Sequence, residues 1–331
     1  MKRITFFTFL VICISALFAF NASAKVKLTY ANFFPPTHVQ SQLAESWCKE
    51  VEKRTNGEVS IDYYPAQALT KAPQTYDAVV NGIADVGMTV LAYSRGRFAV
   101  AQAIDLPMGY KSGVQATAVA NKVLDKFQPK EFKDTKMMFL HAHGPGLIHT
   151  AKKPVAKIDD IKGVKIRTTG ASGAIIKGLG GSPVGKSMSE CYQMLQKGVV
   201  DGSLHPIEAN KGWKLGEVVD YVTEAYSIAY TTTFAVFMNK GKWAKLSPAA
   251  QKAIKEINAE WSIKHGEAWD AADKAGLEFF KSKGGKVVSM SDAEAAKWKD
   301  AMAPVIDEYV KKATKKGIDG KAVVDFIQSS M

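Results

Sequence analysis

Cysteine is scarce in this chain, with three in 331 residues: Cys13, Cys48 and Cys191. So few exclude a disulfide-stapled scaffold, and Cys48 and Cys191, each inside an amphipathic segment, read as buried thiols, since separation along a chain does not establish a bridge. Long hydrophobic runs are missing beyond residue 24. No later stretch approaches 18 uninterrupted apolar residues, which excludes a membrane-spanning helix there. Enzyme signatures are also lacking: no Gly-x-Ser-x-Gly nucleophile turn, no phosphate-binding glycine loop, no dinucleotide fingerprint. Gly178-Leu179-Gly180-Gly181 reads as a helix end, and Asp201 and Glu208 form no acid-base pair. Neither catalysis nor a cofactor is expected. Repeats of solenoid period and low-complexity tracts are absent.

Acidic residues are the minority, 32 against 44 basic ones, a formal charge of +12. Such a surplus draws anions. Nucleic acid is excluded as partner by the lack of any motif and by the start of the chain, and the Lys311-Lys312 and Lys315-Lys316 pairs read as a solvated helix face. That start is Lys2-Arg3, a 17-residue apolar run over residues 4–20, then Asn21-Ala22-Ser23-Ala24. A basic beginning, an apolar centre and an Ala-x-Ala site make a secretory signal peptide, with cleavage after Ala24. A retained anchor is the rival reading, but the run is at the short end of a bilayer span and carries a cleavage flank. Cys13 lies inside the run without small residues before it, so a lipoprotein site is discounted. The protein is expected in the periplasm, with 42 basic and 32 acidic residues left, +10.

The 307 residues from Lys25 exceed what one core serves, so two lobes are expected. Short β-branched runs alternate with helical patterns, which gives an α/β class with mainly parallel sheets. Strands are expected at residues 26–31, 59–64, 84–89, 136–143, 164–168, 183–184 and 199–204, with strands 221–229 and 231–239 leading back into the first lobe. Helices are expected after a Thr37 cap, then at 75–81, 113–127, up to Leu179 and at 187–197, and from Ser291 to residue 312. Ser247-Pro248 opens a helical stretch to Ser282, about 50 Å long, enough to brace both lobes. Gly144-Pro145-Gly146 marks the first crossing between lobes. Residues 1–24 are thus leader, 25–144 with 235–272 the first lobe, and 145–234 with 273–331 the second. Ligands in open α/β sheets bind beyond the carboxyl ends of strands, which marks the turns after Ala31 and Thr89.

One segment carries the sharpest chemistry: Gly163-Val164-Lys165-Ile166-Arg167-Thr168-Thr169-Gly170. An arginine where a buried strand enters a glycine-bearing turn aims its guanidinium at the crevice, and its planar fork grips a carboxylate through two parallel hydrogen bonds. Further along stand Pro183, Met188-Ser189-Glu190-Cys191-Tyr192-Gln193-Met194-Leu195, then Gly198-Val199-Val200-Asp201-Gly202, then Lys245-Leu246-Ser247-Pro248-Ala249-Ala250-Gln251. Taken in order at this spacing, these four segments resemble the TRAP-type (tripartite ATP-independent periplasmic) solute-binding proteins of the DctP-like family, over essentially the whole chain from Lys25. The resemblance implies a two-lobed periplasmic-binding-protein fold with hinge strands and a bracing helix. It further implies closure on a ligand and delivery to one small and one large membrane subunit driven by an ion gradient. It makes Arg167 the carboxylate-binding arginine, puts Met188 where an aromatic wall is frequent, and puts His205 where an asparagine often reaches the ligand. A second basic contact of the sugar-acid-binding members would fall near Leu147, where this chain reads Gly144-Pro145-Gly146-Leu147-Ile148-His149. A smaller or more apolar monocarboxylate is therefore expected, whether 2-oxo, 2-hydroxy or aromatic.

One charge-assisted hydrogen bond contributes about 1.5–3 kcal/mol, whereas micromolar binding needs about 8 kcal/mol. Apolar burial must add the rest, and Phe33, Phe34, Tyr93, Met188, Tyr230 and Phe234 are the candidate walls, with Phe34 and Tyr93 favoured by their places beyond strand ends. His143 and His205, also at strand ends, are candidates to reach a ligand oxygen. The rival functions are a metal carrier using His141, His143, His149 and His205, and a ligand-presenting subunit of a membrane sensor; no carboxylate or cysteine stands at metal-ligand spacing from those histidines. The intact mass of the exported protein should correspond to a chain beginning at Lys25, and a mass retaining residues 1–24 would show an anchor instead.

Overall fold

The fold is described from a computed structural model, which covers residues 25–331; the leader and its cleavage site lie outside the described residues. In chain order, strand β1 (Val26–Asn32) is followed by α1 (Val39–Arg54), β2 (Val59–Tyr64), α2 (Thr75–Val80), β3 (Val86–Val90), α3 (Gly113–Phe127) and β4 (Thr135–Ala142). Then come β5 (Gly146–Thr150), β6 (Lys165–Thr168), α4 (Gly173–Gly178), β7 (Ser182–Gly185), α5 (Met188–Gln196), β8 (Gly202–Pro206), α6 (Ala209–Gly212) and β9 (Tyr221–Thr223). The chain ends with β10 (Thr233–Asn239), α7 (Lys240–Ala244), α8 (Pro248–Ser282), β11 (Lys286–Val288), α9 (Asp292–Thr314) and α10 (Gly320–Ser329).

Two sheets result, ordered β2-β1-β3-β10-β4 and β11-β9-β5-β8-β6-β7. Pairing is parallel except where β10 meets β3 and β4, and where β5 meets β8 and β9. Each sheet therefore holds one strand running against its fellows, and in each case it is the strand that has just crossed from the other lobe. Such a strand starts at the cleft, whereas the others end there, so the carboxyl ends of both parallel sets face the same crevice. The two crossings touch: Gly146 N donates to Tyr230 O at 2.8 Å, and Thr231 Oγ1 donates to His143 O at 2.6 Å. Asp105 ties the second crossing down, accepting from Thr233 N at 2.8 Å and Thr233 Oγ1 at 2.7 Å.

Helix α8 begins as the sequence foretells, with Ser247 Oγ accepting from Ala250 N at 3.1 Å and Pro248 in the first turn. Ile254, Ile257, Trp261 and Trp269 enter the first-lobe core, while Phe280 enters a second-lobe cluster with Leu147 and Cys191. Trp47 Nε1 donates to Asn258 Oδ1 at 2.9 Å and Trp261 Nε1 to Leu43 O at 3.0 Å, which satisfies both buried indoles and locks α1 on α8. The two cysteines are free and buried in separate clusters.

Several expectations need correction. His38, not Thr37, caps α1: its Nδ1 accepts from Gln40 N at 3.2 Å. Residues 146–150 form a central strand, whose continuous burial erased the alternation that would have marked it. The strand expected over 221–229 stops at Thr223 and turns through residues 226–228, because the chain must reverse to reach β10. The final helix α10 was not anticipated, and Val323, Val324 and Ile327 pack with Val119 and Val123 of the first lobe rather than with the second lobe. Helix α9 spans both, with Trp298 and Met302 in one cluster and Tyr309 and Ala313 in the other.

Gly276 lets α8 cross the turn after β8, since a β-carbon there would lie 2.6 Å from Glu208 Cα. Gly276→Ala should lower stability by about 1–3 kcal/mol in urea unfolding through this overpacking, although helix propensity alone favours alanine by about 1 kcal/mol. A more stable variant would show that the crossing is looser than described.

Candidate functional site

Where the strand ends converge, both lobes line a narrow cavity. The first lobe supplies Phe33 and Phe34 beyond β1, Tyr93 beyond β3, His143 beyond β4 and Trp269 from α8. The second supplies Arg167 on β6, Thr169 just past it, Met188 at the start of α5, then Glu208 and Trp213 beyond β8. The return crossing adds Tyr230, Thr232 and Phe234. The cavity measures about 30 Å³, against roughly 150 Å³ for one that takes a benzene ring, so the lobes stand closed and a ligand must enter with them apart. A wider groove of about 430 Å³ between Gln102, Ala171 and α9 has no buried unpartnered cation in its walls.

Arg167 is the unusual residue of this site. Its side chain is 1% exposed; Nε donates to Lys186 O at 2.9 Å, and Nη2 is buried with no hydrogen-bond partner. None of the ion pairs among the described residues includes it. An arginine does not neutralise by losing its proton, so a buried unpaired guanidinium costs several kcal/mol and makes the cavity a trap for an anion. Its charge reaches its neighbours: burial pushes the Tyr93 phenol and the Cys191 thiol up, and the guanidinium partly offsets both.

Around that cation the walls are aromatic. Phe33 and Phe34 stack at 4.5 Å, Phe33 meets Trp213 at 6.0 Å, and Phe234 stacks on Trp269 at 5.1 Å. Two polar contacts join the lobes across the site: Met188 N donates to Tyr93 Oη at 2.9 Å, and His38 Nε2 meets Glu208 Oε2 at 3.0 Å. His143 keeps its proton on Nδ1, which faces Gly144 O at 2.6 Å, leaving Nε2 as an acceptor; burial, with Arg167 adding to it, holds its pKa down at about 4.

Two expected site residues lie elsewhere. Leu147 and His205 are register partners on β5 and β8; Leu147 packs with Cys191, Leu195 and Phe280, and the His205 ring stacks on His149 at 3.7 Å. Neither lines the cavity, although the pairing of β5, β8 and β6 puts both on the same face of the sheet as Arg167. Glu208, Trp213 and Trp269 were missed as wall residues. Glu208 obeys the strand-end rule that singled out His205, and Trp269 falls on the buried stripe of α8 with Trp261 and His265. The four histidines of the metal reading divide between the lobes, His141 on β4 and His143 just beyond it, against His149 on β5 and His205 on β8. Among the described residues no group of three or more His, Cys, Asp or Glu is placed to hold a metal ion.

The comparisons with known proteins agree with this geometry. Residues 30–313 match the family described as bacterial extracellular solute-binding protein, family 7, DctP. The chain belongs to this family. DctP-family members are solute-binding proteins rather than enzymes, and they serve TRAP transport in the periplasm. Relatives include the 2,3-diketo-L-gulonate-binding periplasmic protein YiaO of Escherichia coli K12, 25% identical over 95% of this chain and 97% of its own. Among solved structures, a marine-metagenome TRAP solute-binding protein specific for aromatic acid ligands, in complex with 3-hydroxybenzoate, is 30% identical with a TM-score of 0.88, covering 93% of this chain and 98% of that one. A TRAP solute-binding protein from Rhodoferax ferrireducens T118 with benzoate is 27% identical with a TM-score of 0.87, covering 92% and 97%.

Burial sets the pH response of this DctP-family chain. His141, His143, His149, His205 and His265 are all held below 6.5, His143 at about 4 and His149 and His265 at about 3, so each is neutral when folded and charged when unfolded below pH 6.5. Their stabilisation is lost as pH falls from 6.5. Burial raises Asp105 to about 7 and Asp273 to about 8, and Glu131 in the same direction, so their contribution is lost as pH rises toward 8. Five histidines outweigh three carboxyls below pH 6.5, and only carboxyls act above it. Scanning calorimetry should therefore find the highest Tm near pH 6.5, lower at pH 4.5 and modestly lower at pH 8.5; a Tm rising steadily on acidification would contradict the neutral buried histidines.

Proposed function

We propose that this protein captures a small, largely apolar monocarboxylate, aromatic acids foremost and 2-oxo or 2-hydroxy acids as the wider class. It then delivers the acid to the small and large membrane subunits of an ion-gradient-driven TRAP transporter. The observation that carries this reading is the buried Arg167 guanidinium, with a free Nη2 and no counterion, at the wall of an aromatic cavity between two lobes. In this reading the acid enters the open cleft and its carboxylate takes the free edge of Arg167. Phe33, Phe34, Tyr93, Met188, Tyr230 and Phe234, with Trp213 and Trp269, then close on its apolar body, and His143 Nε2 offers an acceptor for a hydroxyl. Closure excludes water and strengthens the ion contact.

The magnitudes support a shared task. A ring burying 150–250 Å² contributes about 4–6 kcal/mol at 25 cal/mol per Å², and the Arg167 contact about 1.5–3 kcal/mol, against about 8 kcal/mol for micromolar affinity. The relatives with 30% and 27% identity hold 3-hydroxybenzoate and benzoate. Those that hold uronates are about 20% identical and speak for the fold alone. A metal carrier finds no support in the divided histidines.

A thermal-shift screen over organic acids should give its largest shifts with aromatic monocarboxylates, since a ligand at 100 times its Kd stabilises by about 2.7 kcal/mol. Arg167→Met should lose at least tenfold in affinity by calorimetry, about 1.4 kcal/mol or more, while melting no lower than the wild type without ligand, because an unpaired buried charge is removed. Retained affinity would reject Arg167 as the anchor.

A further inference from the structure

The cavity has a second pole. Glu208 is 3% exposed and lines the same space as Arg167, yet the two form no ion pair. The hydrogen-bond donor to its carboxylate among the described residues is His38 Nε2, at 3.0 Å. Because His38 Nδ1 accepts from Gln40 N to cap α1, the His38 ring that does both is the neutral tautomer and donates one proton. A carboxylate accepts about four hydrogen bonds. One neutral donor leaves most of that capacity unused on a side chain only 3% exposed, which also borders an outer groove lined by His38 and Lys211. Asp273, whose Oδ1 accepts from Glu208 N at 2.9 Å, is a further carboxyl beside it, and among the described residues no lysine or arginine pairs with either. A wall carboxylate also repels an anionic ligand, unless that ligand presents a proton to it.

We infer that Glu208 is a specificity-determining residue that accepts a hydrogen bond from a donor group on the ligand, so that the preferred substrates are carboxylates bearing a ring hydroxyl rather than unsubstituted acids. The inference rests on the reading of Arg167 as carboxylate anchor. His38 is a positioning residue in it, holding Glu208 from the opposite lobe through a ring clamped against Phe34 at 4.3 Å. The alternative role for Glu208 is a plain latch between lobes, which would affect every ligand alike.

The test is calorimetric titration of the full mature protein with benzoate, the three monohydroxybenzoates and their methoxy counterparts. At least one hydroxybenzoate should bind tenfold or more tightly than benzoate and than its own methoxy ether, because a site built to pair a hydroxyl rejects the analogue lacking it. Glu208→Gln keeps an oxygen for His38 Nε2 but removes the charge, and should cut that preference at least fivefold while tightening benzoate. Wild-type protein that binds benzoate and the hydroxybenzoates within threefold of each other overturns the role of Glu208 and leaves the anchor standing. A preference in Glu208→Gln that falls less than fivefold overturns it too, as does parallel weakening of all ligands, the mark of a latch. No saturable binding of any of these acids overturns both this inference and the aromatic-acid reading beneath it.

Discussion

A cation sealed in a wall without its counterion is the constraint on which the rest of this structure depends. Arg167 has one backbone carbonyl for Nε and nothing for Nη2, and it is nearly without exposure. Such a group is unfavourable in isolation, and in the proposed reading the fold tolerates it because the cavity receives an anion there. On that proposal a bound carboxylate would relieve the cost held at Arg167, so the same feature that weakens the empty closed form would favour the filled one.

Two lobes can close reproducibly only if their connections resist other motions. Here β5 and β10 enter the sheets in opposite directions and meet at Gly146 and Tyr230, while α8 and α9 each pack on both cores. That meeting is a single bridge between the two crossings, and the two helices that span the lobes tie the cores together. The contacts that lie across the cleft, Tyr93 with Met188 and His38 with Glu208, are polar and few. Aromatic contact also crosses there, with Phe33 and Phe34 against Trp213.

Much of this was legible before any coordinates. The strand–helix alternation, the Ser247-Pro248 start of the long helix and the boundaries of β2 and α3 follow from local signals that act within a few residues: periodicity, caps and glycine stops. Of the ten residues singled out for the site, eight line the cavity. Phe34, Tyr93 and His143 follow from the rule that such sheets bind at the ends of strands, whereas Arg167 and Met188 rest on the family resemblance as well. The rule fails for His205, and the resemblance for Leu147, since neither lines the cavity; β5 itself gave no alternation because it is buried throughout.

The sequence alone determined the family and the class of fold, and gave as expectations the export leader and Arg167 as the anchoring arginine. Those properties reside in contiguous segments, where residue type and spacing act locally. Tertiary structure alone decided that Arg167 has no counterion and that Trp213 and Trp269 complete the walls. It also decided that α10 returns to the first lobe and that a glutamate held by a capping histidine shares the cavity. The physical reason is distance along the chain: His38 and Glu208 are separated by 170 residues, and no local preference encodes which side chains a closing cleft brings face to face.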